Sequence, residues 1–183
     1  KVFTKDQLQG KDFNDPQLVV QLCSQLGGVT IVRKGQKDLI SNGSNVKLAK
    51  KTPAVSQEEG YSQEQKHNEE QDMVALLEGD ETGSPRRCGG MGDILSGCLG
   101  TFVNWSTQCA TRANKSPEYL SFSENEDEDA RVSKAMLVGA YGACMITKKA
   151  ALAAFEKKFR GFTAPDVMEQ LPNVFESQFP CKY

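Results

Sequence analysis

The sequence predicts an α/β sandwich with helices on both faces of a sheet. Three observations predict it. A proline-started helix signal, "NDPQLVVQLCSQLGG", runs directly into a β-branched stretch, "VTIVRKG". A second short strand signal, "MVALLEGD", leads through a glycine-rich turn into an apolar helix. The last third reads as helix, with alanine and glycine wherever it would meet a neighbour. At 183 residues, 38% of them hydrophobic, the chain suffices for one domain with a real core or most of a larger one.

Each element has a local cause. Asp15 can cap the first helix, Pro16 suits its first turn, and Gly27 and Gly28 supply the stop. Leu18, Val19, Leu22, Cys23 and Leu26 form its expected apolar face. "VTIVRKG" reads as a buried strand, and "DLISNGSNVKLA" as two short segments turning at Asn42-Gly43. A helix is expected from about Asp93 to Trp105, with Gly97 and Gly100 allowing close packing. "RVSKAMLVGAYGACMITKKAALAAFEKKF" forms the long helix, and Thr163 and Asp166 are spaced as the capping box of a final one. Two polar inserts, at about 51–72 and 114–130, interrupt this pattern. Both read as solvated spacer, including the five acids packed into residues 124–129. No internal repeat is visible.

Composition excludes several classes of function. A formal net charge of −2 gives no electrostatic footprint for nucleic acid or an anionic membrane. The longest apolar run, Ala135 to Ile146, falls short of the roughly 20 residues a membrane span needs. Six cysteines lie far apart without a C-x-x-C pair, so reduced thiols are expected. The one histidine, His67, falls in a polar loop and reads as a solvated side chain; with no second histidine, zinc is not expected. The chain opens "KVFTKDQLQG", without an initiator methionine or an apolar leader, and reads as a piece of something longer.

The informative stretch is "GSPRRCGGMGDILSG", residues 83–97. A strand, a glycine turn and a helix start together make an anion site. Backbone N–H groups of Gly90, Met91 and Gly92 can converge on a phosphate that missing side chains let approach. Asp93 then stands at the helix start, either as a cap favoured by the helix dipole or as a catalytic carboxylate. The stretch lacks the Gly-Lys-Ser/Thr close of a P-loop and is not G-x-G-x-x-G after a strand. Arg86 and Arg87 could clamp phosphates or be plain surface charge. Cys88 reads as packing rather than as a nucleophile, and Trp105 as helix-face core rather than a stacking platform.

"GGMGDILSG" resembles the anion-hole signature of ribokinase-like kinases. The two blocks "VTIVRKGQKDLISNG" and "GSPRRCGGMGDILSGCLGTFVNW", in that order, resemble the ATP-dependent NAD(P)H-hydrate dehydratases, relatives of the C-terminal half of bacterial YjeF-type proteins. The resemblance covers most of the chain apart from the inserts. It implies a ribokinase-like three-layer sandwich with a central, mostly parallel sheet, of which residues 1–183 would be the C-terminal part. It implies that ATP meets Lys34, Gly35, Gln36, Lys37 and Asp38, and that Gly83, Ser84, Pro85, Arg86, Arg87, Cys88, Gly89, Gly90, Met91 and Gly92 wrap the nucleotide and its phosphates. Asp93 would touch the hydrated nicotinamide and act as base. It further implies Mg2+ carried with ATP, (6S)-NADHX and (6S)-NADPHX as substrates, and a cytoplasmic location, with a mitochondrial form and a homo-oligomer left open. Met91 departs from the pattern, standing where a polar residue is usual; the backbone N–H does the work there. Two alternatives stay open: a ribokinase-like kinase for a vitamin precursor, and a nucleotide-binding segment without catalysis.

Overall fold

The computed structural model describes residues 15–45, 74–112 and 127–181. His67 and the greater part of both polar inserts lie outside the described residues. The chain starts with helix α1, Pro16–Gln25, and the expected cap is made: the Gln17 N–H donates to Asp15 Oδ1 at 2.9 Å. Strands β1 (Ile31–Arg33), β2 (Asp38–Asn45) and β3 (Val74–Gly79) follow. Then come α2 (Met91–Arg112), α3 (Glu128–Lys158), a 3₁₀ turn at Phe159–Gly161, and α4 (Ala164–Gln178).

The sheet has strand order β1-β2-β3, and both pairings are antiparallel. The mostly parallel sheet expected from the sequence is therefore not what the described residues form. Its layering is as expected. Side chains alternate along a strand, so Leu39 packs with Val19 and Cys23 of α1 while its neighbour Ile40 packs with Leu95 of α2 and Leu137 of α3. Helices thus cover both faces.

Three local expectations need correction. The hairpin turn is not at Asn42-Gly43, which lie inside β2; β1 and β2 are joined through residues 34–37. Gly43 has a φ of 72°, and the pairing with β3 shifts register between Ser41 and Asn45. It is a bulge glycine, and a Cβ there would lie 2.7 Å from the backbone nitrogen of Ser24 on α1. In α1, Val20 is buried and Leu26 is 44% exposed, because the helix ends before Leu26 can turn inward. The second insert ends earlier than expected: Asp127 caps α3 by accepting the Ala130 N–H at 2.7 Å, and Glu128 and Asp129 complement its positive end.

The core is small-residue packing of α3 against its neighbours. Ala135, Ala140, Ala143, Ala150 and Ala154 are almost fully buried, so α3 approaches α2 and the sheet closely. Phe162, wholly buried with Ile146, Ala150 and Val167, seals the junction to α4 and contributes about 1.5–3 kcal/mol by leaving water. All six cysteines are free thiols, as expected. No described helix is long and apolar enough to cross a membrane.

The capping box of α4 is formed. Thr163 donates to Asp166 Oδ2 through both its N–H (2.7 Å) and its hydroxyl (2.9 Å), and Lys158 Nζ reaches Asp166 Oδ1 at 2.5 Å. The Lys158 bond first, then the two from Thr163, hold the Asp166 carboxyl down at about 2. A depressed carboxyl stabilises the fold above the ordinary aspartate value of ~3.9 and loses that contribution as pH falls through the folded value. Asp166→Asn is accordingly expected to melt lower than the parent near neutral pH. The gap should close as pH falls from about 4 toward 2. Because Lys158 is half exposed, added salt should shrink the gap too. Thermal melts across that pH range check the expectation; a gap independent of pH would show that the carboxylate charge contributes nothing.

Candidate functional site

Two sequence blocks meet in one cleft of about 710 Å³. One wall is the β1–β2 turn, with Lys34, Gly35, Gln36 and Asp38. The other is the strand exit and glycine stretch, from Asp80 through Cys88 and then Gly90, Met91 and Gly92. Leu95 of α2 and Cys144, Thr147, Lys148 and Ala151 of α3 make the floor. These blocks lie some fifty residues apart in the chain. Antiparallel pairing of β2 with β3 brings them together, because it sets Asp38 opposite Gly79.

The glycines divide by cause. Gly90 has a φ of 84°, and a Cβ on it would sit 2.9 Å from the Ala164 Cβ, so the fold itself demands glycine. Gly89 and Gly92 differ: a Cβ on either meets nothing within 4 Å. Gly90 O accepts the N–H of Asp93 and of Ile94, each at 3.1 Å, which starts α2. The N–H groups of Met91 and Gly92 are then first-turn donors without an intrahelical partner, and both residues line the cleft at the positive end of a 22-residue helix. That arrangement suits an anion.

Asp93 is exposed in the first turn of α2, and its carboxylate takes no hydrogen bond among the described residues, so it is not a side-chain cap. It lines the neighbouring groove rather than the cleft. This groove, about 750 Å³ and mainly apolar, runs between α2 and α4 past Ile94, Phe102, Leu171 and Phe175. Gly90 borders both spaces.

Other expected site residues have assigned tasks of their own. Lys37 does not line the cleft; it pairs with Glu78 at 3.3 Å, both side chains being exposed. Asp38 is buried: Oδ1 accepts the Gly35 N–H at 2.9 Å and Oδ2 lies 3.1 Å from Lys148 Nζ. Arg86 donates to the carbonyls of Arg160 and of Phe162 (3.2 Å for the latter) and lies 5.5 Å from the Phe162 ring centroid. It ties the glycine stretch to the α3–α4 junction. Ser84 accepts the Arg86 N–H at 3.2 Å and shapes the turn. Arg87 remains at the cleft edge, exposed. Cys88 is half-buried against the Ile94 and Phe162 core, and Gly89 stands just off the cleft.

Cys144, on the floor, is no nucleophile: burial first, and the nearby Asp38 charge second, push its thiol up to about 12. Trp105 is half exposed in a cluster with Phe102 (5.7 Å) and Phe175 (6.0 Å), away from the cleft, rather than in the core. The sequence reading missed Asp80, Glu81 and Thr82, which the tendency of ligands to gather beyond strand ends could have flagged. It also missed Lys148, which nothing local marks. Among the described residues no three His, Cys, Asp or Glu side chains gather as a metal cage.

Fold and site together define a class: an α/β protein whose glycine-lined cleft ends at a helix N-terminus. Comparison with known proteins narrows this. No family model matches the chain. It is similar to the ATP-dependent (S)-NAD(P)H-hydrate dehydratase of Entamoeba histolytica, 35% identical over 159 residues, covering 87% of this chain and 37% of that protein. The Mus musculus protein of the same name is 32% identical over 160 residues, and the Homo sapiens one 30% over 161, each covered to 33%. The resemblance seen in the motifs is borne out. The chain spans about a third of the length of these curated relatives.

Proposed function

We propose that this segment supplies the nucleotide cleft and the catalytic carboxylate of an ATP-dependent hydro-lyase that repairs hydrated nicotinamide cofactors, within a ribokinase-like fold. The observation that carries the reading is the convergence of the 34–38 turn and the 83–92 stretch on one cleft that closes at the N-terminus of α2. The relatives' names support the same chemistry.

In this reading ATP lies in the cleft. Its terminal phosphate rests on the N–H groups of Met91 and Gly92, donors held by the helix before the charge moves. Asp93, at the mouth of the adjoining groove, takes the proton from the ring hydroxyl of (6S)-NADHX or (6S)-NADPHX as that oxygen attacks the γ-phosphorus and ADP leaves. Loss of phosphate and a ring proton then restores the double bond of NADH or NADPH. Mg2+ would neutralise charge on the transferring phosphate. Asp80 at the cleft edge is a hard oxygen donor of the kind a nucleotide-borne Mg2+ accepts, while its neighbour Glu81 pairs with Lys149 at 3.1 Å. The reading carries with it a cytoplasmic place of action, with mitochondrial action left open.

Incubating the protein with (6S)-NADHX, ATP and Mg2+ tests this: absorbance of the reduced nicotinamide should return with one ADP per turnover. A stable phosphorylated product without that return would instead favour a kinase. ATP binding with no chemistry would favour a binding segment.

Gly92→Ala gives a separate check on where the phosphate sits. Among the described residues a methyl there meets nothing within 4 Å beyond its chain neighbours and the backbone of its own helix, so the fold should tolerate it and the melting temperature should hold or rise slightly. The methyl would project beside the anion-binding donors, and ATP affinity should fall at least about tenfold, the loss of roughly one charge-assisted hydrogen bond. Titration with ATP and a thermal scan decide it. Unchanged affinity would move the phosphate elsewhere.

A further inference from the structure

Lys148 lies in the cleft floor with its side chain only 16% exposed. A lysine beside a nucleotide site invites reading as a phosphate ligand, yet its three donors are already directed. Nζ stands 2.8 Å from Gln36 O, 3.1 Å from Asp38 Oδ2 and 3.4 Å from Gly79 O. A lysine ammonium has three N–H groups and no more. Its stem serves the other wall: a Cβ on Gly83 would lie 3.5 Å from Lys148 Cγ. One side chain therefore touches the β1–β2 turn, the end of β3 and the start of the glycine stretch. Among the described residues the turn's other ties are the Gly35 N–H bond to Asp38 and the exposed Lys37–Glu78 pair.

We infer that Lys148 is a positioning residue that fixes the separation of the two cleft walls, and that it binds the nucleotide only through the 34–38 turn it holds. This rests on the nucleotide reading of the cleft.

The test compares Asp38→Asn with the double variant Asp38→Asn/Lys148→Met in the full chain. Asparagine can still accept the Gly35 N–H, and the double variant leaves no unpaired buried charge, so the step from single to double removes the tethers of Nζ to Gln36 and Gly79 together with its contact to residue 38. Binding of ATP and of AMP is measured by calorimetry. Adding Lys148→Met should weaken both by the same factor, about tenfold, with the salt dependence unchanged. A loss several-fold larger for ATP than for AMP, with a shallower salt dependence, would make Lys148 a phosphate ligand and overturn the inference. Equal affinities for the single and double variants would overturn it as well.

A measurement on the unaltered chain needs no variant to fold. The Lys148 ammonium resonance, followed in nitrogen-labelled protein, should keep its chemical shift at saturating ATP. A large shift that ATP causes and AMP does not would again indicate direct phosphate contact. If the unaltered chain binds neither nucleotide, the reading of the cleft fails first, and this inference with it.

Discussion

Asp93→Asn is expected to lower turnover of hydrated NADH by about 10²- to 10⁴-fold, the usual contribution of a general base. ATP affinity should stay within a few-fold. The sequence left two explanations for a carboxylate at this position, a helix cap or a catalytic group. The hydrogen bonds argue against a side-chain cap. Gly90 O receives the N–H groups of Asp93 and Ile94, while the Asp93 side chain accepts from none among the described residues and stands exposed beside the groove. What remains of a structural role is its interaction with the helix dipole, about 0.3–1 kcal/mol at such a site. Asparagine keeps the size and polarity of the group but cannot take a proton. A melting temperature almost unchanged, together with turnover reduced a hundredfold or more, would identify the base. Affinity for ATP could rise slightly, because a negative charge near the terminal phosphate is gone. Turnover close to that of the parent would reject Asp93 as base and leave only its place at the positive end of α2.

Local signals were the legible ones. The Asp15-Pro16 start and the Thr163–Asp166 box depend on contacts within a few residues, and both are formed. The runs at Ile31 and before the glycines are strands as their composition suggested, although β1 is half-buried rather than buried and the partner of both strands, β2, was not legible in either. The misreadings depend on partners far away in the chain. Asn-Gly favours a turn only if no neighbouring element needs the same glycine; α1 crowds Gly43, and the positive φ becomes a bulge inside β2. Strand direction was not written in any one strand, since hydrophobic alternation looks the same in either sense. Among candidate site residues, the glycine stretch advertised itself because missing side chains are visible in a sequence. Lys148 did not. Its meaning comes from Gln36, more than a hundred residues earlier, and "TKKA" in a helix looks like surface charge. Arg86 shows the converse: a conspicuous arginine beside a phosphate motif turns one guanidinium nitrogen, Nη1, to two backbone carbonyls.

Gly139→Ala is expected to be the most damaging conservative change in the helical layer. A Cβ at that position would lie 2.8 Å from Phe102 O and 2.9 Å from Val103 Cα. Both are backbone atoms of α2, so relief requires moving one helix against the other. Overpacking of this kind costs typically 1–3 kcal/mol, which in a domain of this size lowers the melting temperature by about 2–4 °C per kcal/mol. Gly142→Ala should cost less. Its new methyl meets Phe102 Cδ1 at 2.9 Å, and a ring can turn where a backbone cannot. Gly100 supplies the opposite sign. The sequence suggested that it and Gly97 let α2 pack closely, but a Cβ on either meets nothing within 4 Å. Gly100→Ala should therefore stabilise α2 by about 0.4–1 kcal/mol through the lost freedom of the unfolded chain. The three variants together test whether the close approach of α2 and α3 is built from the α3 side. Thermal melts should order them Gly139→Ala, Gly142→Ala, parent, Gly100→Ala, from lowest to highest. If Gly139→Ala melts with the parent, α2 does not lie where these distances put it, and the floor of the cleft, which the same helix pair forms, would have to be redrawn.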